Sequence, residues 1–294
     1  MSGITIGNLS VNSFAARMSD SAPQRRLIVN ADDFGCSESI NEAVIRAHQE
    51  GILTTASLMV NESAADQAVR MARQHPGFGV GLHLALVCGK AALSSEKIPN
   101  LAAPNGQLSK NAVGAGLKYF FSSKCRGQLR AEIGAQFERF HATGLPLDHV
   151  NGHLNIHLHP VVLGILMENA QRWGIRAMRL TRDRYFLNAR IASGRWAYRA
   201  SHAMIFRILS DWARPRLARK MIRHTNVVFG LMQSSRVDSA YIEKLLPRLP
   251  PGDSELYSHP SLDQFKNELD ALLDPAIRNL SQRLGIQLIR YQDL

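Results

Sequence analysis

From His149 to His159 the chain alternates without a break. Val150, Gly152, Leu154, Ile156 and Leu158 occupy one parity, and His149, Asn151, His153, Asn155, His157 and His159 occupy the other. An extended segment has a side-chain period of two, so the run predicts a strand with imidazoles and amides on one face and apolar groups on the other. Four of the chain's eleven histidines fall here. One reading is an edge strand with its polar face in water, but such faces are built mostly from Thr, Lys, Glu and Ser. The imidazole-rich face points instead to a metal or proton-transfer site.

The same patterning orders the rest of the chain. Leu27-Ile28-Val29 reads as a short strand running into Asn30-Ala31-Asp32-Asp33-Phe34-Gly35. Ser39-x-x-Glu42 has the form of a capping box, and Ile40, Ala43, Val44 and Ala47 recur at helical spacing up to Gly51. A strand is predicted over 54–60, a helix over 63–74 and a third strand over 78–84. Residues 88–110 form a long polar loop, a length usually associated with functional or lid segments. Helices over 111–122 and 126–142 lead to the histidine-rich strand, and a helix over 161–173 and a strand over 175–180 follow it. A strand over 226–231, a helix over 237–246 and a late strand over 254–260 precede two final helices, the last starting at Asp274-Pro275. Strands alternating with helices predict βαβ units and a parallel sheet in one α/β domain over 25–294.

With 294 residues, 45% hydrophobic and 20% charged, the chain has the composition of a globular protein with a sizeable core. No apolar run approaches the ~20 residues of a membrane-spanning helix. Residues 1–24 read as a disordered leader without the form of a secretory signal, with Met18 as an alternative start. Cys36, Cys88 and Cys125 are odd in number and lack CxxC spacing, which predicts free thiols in a reducing cytoplasm.

The net charge of +11 is concentrated. Residues 172–223 hold fourteen Lys or Arg against Asp183 and Asp211, a local net of +12. Trp173, Trp196, Trp212 and Met204-Ile205-Phe206 are interleaved with these arginines. A basic amphipathic insertion over about 184–224 is therefore expected. Its partner is an anionic membrane surface, a nucleic-acid groove, or only the solvent over a helical pair. The membrane is preferred and nucleic acid is not expected.

In parallel α/β folds the carboxyl ends of strands carry the chemistry. Four polar groups stand at such ends: Asp32-Asp33, His83, the His153 region and His259. Adjacent aspartates after an apolar strand point different ways, so one can ligate a cation while the other acts as a base; an Asx turn would also account for them. His83 alone reads as a core histidine. Together, one carboxylate and two imidazoles with open positions suit a divalent metal that binds substrate and water. Such an ion lowers the pKa of bound water toward ~7 and polarises a carbonyl oxygen. A nearby carboxylate can take the proton, and a histidine across the site can return it to a leaving amine. This is equipment for metal-assisted hydrolysis of an amide.

The run from Leu27 to Gly35, Gly51-Ile52-Leu53-Thr54, Gly81-Leu82-His83-Leu84, His153-x-x-x-His157 and Ser258-His259-Pro260 resemble, in order, the motifs of the YdjC/ChbG family of carbohydrate deacetylases. The resemblance implies a distorted (β/α) TIM-like barrel and removal of acetate from N-acetylated sugars by a divalent metal, Mg2+ by family and Zn2+ on ligand chemistry. By position it implies Asp33, His83 and His153 as metal ligands, Asp32 as general base and His259 as general acid. Asn151, His157, Arg179 and Arg182 become supporting or substrate-contacting groups, although relatives often carry Asp where this chain has Asn151.

A narrower resemblance joins Leu86-Val87-Cys88-Gly89-Lys90, Phe120-Phe121-Ser122, the run from Thr143 to His149, and Val228-Phe229-Gly230-Leu231 to the hopanoid-associated, HpnK-type branch. It implies an N-acetylglucosaminyl hopanoid as substrate, at the inner membrane face. Two rivals remain open: a deacetylase of soluble chito-oligosaccharides, and a lipid- or nucleic-acid-binding barrel without catalysis. A homodimer is a further expectation.

Overall fold

A computed structural model describes residues 24–192, 194–233 and 236–294. Residues 1–23 of the expected leader, Met18 among them, lie outside the described residues, whereas Gln24 O accepts from Gly252 N. In chain order the elements are β1 (Arg25–Phe34), α1 (Glu38–Glu50), β2 (Thr55–Leu58), α2 (Ala65–Arg73), β3 (Gly79–Leu84), α3 (Ala112–Phe121), α4 (Ser123–Ala142) and β4 (Val150–Gly152). There follow α5 (Pro160–Asn169), α6 (Tyr185–Ile191), α7 (Trp196–Arg219), β5 (Val227–Phe229), α8 (Ser239–Leu245), β6 (Gly252–Ser258), α9 (Lys266–Leu273), α10 (Pro275–Arg283) and β7 (Ile286–Leu288).

The strands form one parallel sheet in the order β4-β3-β2-β1-β6-β5, with β7 beside the start of β1. The fold is α/β as expected, but the sheet has two ends, β4 and β5. Residues 176–182 lie between those ends as irregular backbone, not as the predicted strand over 175–180. Arg179 N bonds to Val150 O on one side, while Met178 N bonds to Arg223 O and Val228 N to Arg182 O on the other. A full barrel of regular strands is not formed among the described residues.

The long core strands carry apolar groups outward under the helices, where Leu27, Val29, Ala31 and Leu256 join the main hydrophobic core. Ile28 instead joins Ala177, Ile289 and Tyr291 in a small separate cluster inside the curl of the sheet. Above that plug the inward positions of successive strands are polar and buried: Asn30, Asp32, Ser57, His83, Asn151 and Glu255. Buried polar groups on such an inner face are costly unless each finds a hydrogen-bond partner.

Two local expectations fail for identifiable reasons. The N-cap of α1 is Ser37, whose hydroxyl accepts from Ile40 N, not Ser39. Ser39 Oγ accepts from Leu262 N instead. The histidine-rich strand ends at Gly152, and His153–Leu158 is a 3-10 segment with Leu154 and Asn155 at φ 52° and 58°. Its six polar side chains therefore do not share a face. The loop over 88–110 is not free-standing: the buried Glu132 on α4 accepts from Ala92 N and Leu93 N.

Candidate active site

The site begins with a defect in β1. Pairing to β2 is regular from Asn30 to Ala31 and resumes at Phe34 with a shifted register. Asp33 lies in that bulge at φ 64°. A non-glycine residue in this region is strained, and bulges of this kind re-aim side chains beside functional sites. Here the bulge separates the two carboxylates. Asp32 stays in the buried inner row, while Asp33 turns to His83 and His153.

Asp33 Oδ1 lies 3.2 Å from His83 Nε2 and 2.9 Å from His153 Nδ1. The three residues offer one ligand atom each, all within 4.8 Å of one another. The hydrogen bonding around His83 tests whether a cation fits. Asn151 Nδ2 donates to Asp32 Oδ1 at 3.1 Å and to Ser57 Oγ at 2.8 Å, so Asn151 Oδ1 is the atom facing His83. His83 Nδ1 must then carry its proton into that 2.7 Å bond. In a neutral ring this tautomer leaves a lone pair at Nε2 aimed at a carboxylate oxygen. Such an arrangement repels unless a cation or a proton stands between, and it suits a metal. Burial opposes the charge on Asp33, but the bond from His153, with a proton or cation at His83 Nε2, holds its carboxyl well below the usual range. Burial likewise opposes protonation of His153, and Asp33 reverses this and raises it.

Asp32 is held differently. Arg179 Nη1 donates to Oδ2 at 2.7 Å and Nη2 to Oδ1 at 2.9 Å, with Asn30 Nδ2 adding a 2.8 Å bond to Oδ1. Burial alone would raise this carboxyl, but Arg179, with His83, outweighs it and pulls it far down. Oδ1 carries three bonds and Oδ2 one, so Oδ2 keeps acceptor capacity. Arg179 is itself buried between Asp32 and Glu255, to which Nε and Nη2 donate at 2.9 and 2.7 Å. Its guanidinium lies 4.2 Å from the Tyr257 ring centroid, and Tyr291 Oη donates to the far oxygen of Glu255.

A second chain of contacts reaches His83 from the opposite side. Asp148 Oδ2 pairs with His149 Nδ1 at 2.9 Å, and His149 Nε2 with Ser57 Oγ at 2.9 Å. Ser57 supports Asn151, and Asn151 supports His83. Close approach makes this possible: a Cβ on Gly81 would stand 2.5 Å from the His149 ring. The ring also stacks on Tyr291 at 4.3 Å.

Asn151 thus supports His83. His157 supports Arg179: its Nε2 donates to Arg179 O at 3.0 Å, and burial pushes the ring down to about 3, so it is neutral. His259 sits over Glu268, whose Oε2 accepts from His259 N at 2.6 Å and lies 3.9 Å from His259 Nδ1. Arg182 is elsewhere, in a cleft beside α6 and α7, with Asp211 at 3.7 Å. Cys36, Cys88 and Cys125 are free thiols, and Asp33 and burial raise Cys36 to about 11, burial the more strongly.

Glu255, Ser57, Asn30 and the Asp148–His149 pair were not singled out by sequence reasoning as parts of the site. Parity could have flagged one of them, since Asn30 and Asp32 share a face of β1. Nothing local marks Glu255, which lies 76 residues from Arg179.

A parallel α/β sheet with one carboxylate and two imidazoles gathered at its strand ends has the layout of a candidate hydrolytic metal centre. The chain belongs to the YdjC-like protein family, which it matches over residues 26–283. It is 38% identical over 150 residues to a carbohydrate deacetylase of Brevibacillus brevis, covering 51% of this chain and 57% of that protein. It is 33% identical over 166 residues to a chitooligosaccharide deacetylase of Serratia marcescens, covering 54% and 61%. The chain thus spans about three fifths of the length of these bacterial relatives. Among solved structures, a candidate cellobiose-phosphate cleavage protein of Enterococcus faecalis V583 superposes with a TM-score of 0.71 at 20% identity, over 92% of this chain and 98% of that one. That likeness is one of fold.

Proposed function

We propose that this protein is a metal-dependent N-deacetylase that releases acetate from an N-acetylglucosamine residue. The observation that carries the reading is the pairing of two differently held aspartates: Asp33 among His83 and His153, and Asp32 locked by Arg179. Asp33, His83 and His153 would hold a divalent ion, which when bound supplies Lewis acidity and a water of lowered pKa. Asp32 accepts the water proton through Oδ2, the oxygen with spare capacity. Arg179 keeps Asp32 ionised, so it orients the acceptor at the expense of basicity. His259, over the buried Glu268, protonates the departing amine. Two imidazoles and one carboxylate suit Zn2+ on ligand grounds, and Mg2+ follows from the family resemblance.

The substrate reading is an N-acetylglucosaminyl hopanoid, supported by the branch-specific motifs and by a basic, apolar face close to the site. A soluble chito-oligosaccharide is favoured by a different observation, the Serratia marcescens relative's name. Acetate release from the two substrates, compared side by side, decides between them. Asp33→Ala and His153→Ala should each abolish release and strip bound metal in elemental analysis. Retention of both metal and activity would refute the ligand assignment.

A further inference from the structure

The region around α6 and α7 combines two properties that a solvated surface does not. Phe186 is 80% exposed, Trp196 74%, Met204 62% and Ile208 63%. Met204 and Ile208 stand one helical turn apart on α7, so they form a stripe. Beside that stripe lies a cleft of about 910 Å³ whose wall carries Arg182, Arg184, Arg190, Arg207 and Arg248 against the single carboxylate of Asp183. Arg184 and Arg190 form no ion pair among the described residues, and the contacts of Arg182 and Arg207 to Asp211 are long, at 3.7 Å, and exposed. Such pairs hold their partners weakly. Five guanidiniums beside bulky exposed apolar groups are an unbalanced charge that an anionic surface would neutralise.

We propose that the α6–α7 face docks on an anionic phospholipid bilayer, with Phe186, Trp196, Met204 and Ile208 entering the interfacial layer and the arginines meeting lipid phosphates. Charge complementarity selects this occupant. A second copy would set the same basic face against itself, which repels. A single-stranded nucleic acid would stack on aromatic faces along a basic track, whereas the centre of this face is Met204 and Ile208, which cannot stack on bases. Trp and Arg beside aliphatic groups are the mixture that an interface between water and lipid accepts.

The face shares a wall with the candidate site. Ser210 on α7 donates to Thr181 O at 3.0 Å, and Thr181 Oγ1 donates to Asn155 Oδ1 at 2.8 Å, in the 3-10 segment between His153 and His157. Docking would thus bring a sugar carried on a lipid toward the metal centre; that consequence rests on the deacetylase reading, whereas docking itself does not.

The test is co-sedimentation of the full chain with phosphatidylcholine vesicles, with and without phosphatidylglycerol, alongside acetate release from soluble diacetylchitobiose. The wild type should pellet only with the anionic vesicles and be released by salt. Each basic residue at such a surface contributes roughly a factor of five, so Arg190→Glu with Arg207→Glu should weaken binding by at least about 30-fold. Met204→Ser with Ile208→Ser should also weaken it, and both doubles should keep wild-type turnover of diacetylchitobiose. No pelleting with anionic vesicles, equal pelleting with neutral ones, or tighter binding to single-stranded nucleic acid would each overturn the proposal. Vesicle binding without acetate release from either diacetylchitobiose or the N-acetylglucosaminyl hopanoid would refute the deacetylase reading and support docking alone.

Discussion

Arg179 and Arg182 stand three residues apart and belong to regions with opposite physics. Arg179 is fully buried, and its donors are met by Asp32 and Glu255 at 2.7–2.9 Å. Arg182 is partly exposed and has one carboxylate at 3.7 Å. Around Arg179, β1, β2, β3, β4 and β6 each contribute a polar group that fixes its neighbour. Around Arg182 the arginines are only lightly paired and stand beside exposed apolar side chains. Identical chemistry therefore stands in two settings: a buried guanidinium sets the geometry and charge of a carboxylate, and a surface cluster of guanidiniums is only loosely held. The difference shows that charge counts along a sequence say little until burial is known.

The comparison can be broken most sharply at the two arginines themselves. Arg179→Met leaves Asp32 and Glu255 buried without their cation and should cost about 3–5 kcal/mol in denaturant unfolding. Arg182→Met should cost less than about 1 kcal/mol. Equal losses would mean that the two regions do not differ in the way described. Ser57→Ala probes the buried network at its junction. It leaves His149 and Asn151 one partner short, so a loss of about 1–3 kcal/mol is expected. Because His83 would then be less firmly oriented, titration calorimetry with Zn2+ should show affinity reduced by roughly 10–100-fold. Unchanged affinity at lowered stability would make Ser57 purely structural.

Asp183 tests the border between the regions. Burial pushes its carboxyl from 3.8 up to about 7, so the folded state keeps a proton that the unfolded state has released. The stability this proton contributes is present in full below about pH 4 and is lost as the pH rises through about 7. Asp183→Asn, which cannot ionise, should raise the melting temperature at pH 8, by a change of order 1–2 kcal/mol, and leave it nearly unaltered near pH 4. A variant with the same gain at both pH values would mean that ionisation is not the cause.

Much of the architecture was legible. The strands predicted over 78–84 and 254–260 appear as β3 and β6 within two residues at either end, because each short segment follows a Pro-Gly turn that no helix crosses. The family resemblance implies Asp33, His83 and His153 as one group, and their ligand atoms lie within 4.8 Å of one another. The histidine-rich run departs from the predicted strand because strict alternation is also compatible with a strand that stops at Gly152 and turns through two left-handed residues. Local pattern does not record where pairing to β3 ends. Ser37 and Ser39 were equally good caps by type, and the choice was made by Leu262, 223 residues from Ser39, which takes the second hydroxyl.

By itself, then, the sequence determined the α/β class, the order of most elements and the residue types able to hold a metal, since each depends on short-range periodicity and side-chain chemistry. Only the tertiary structure decided which aspartate meets the histidines and which meets Arg179, that Glu255 and Ser57 belong to the site, and that Arg182 faces another surface. Those assignments depend on contacts between residues tens to hundreds apart, fixed by sheet register and by one bulge in β1. The period of two tells only which residues share a face, not what that face meets.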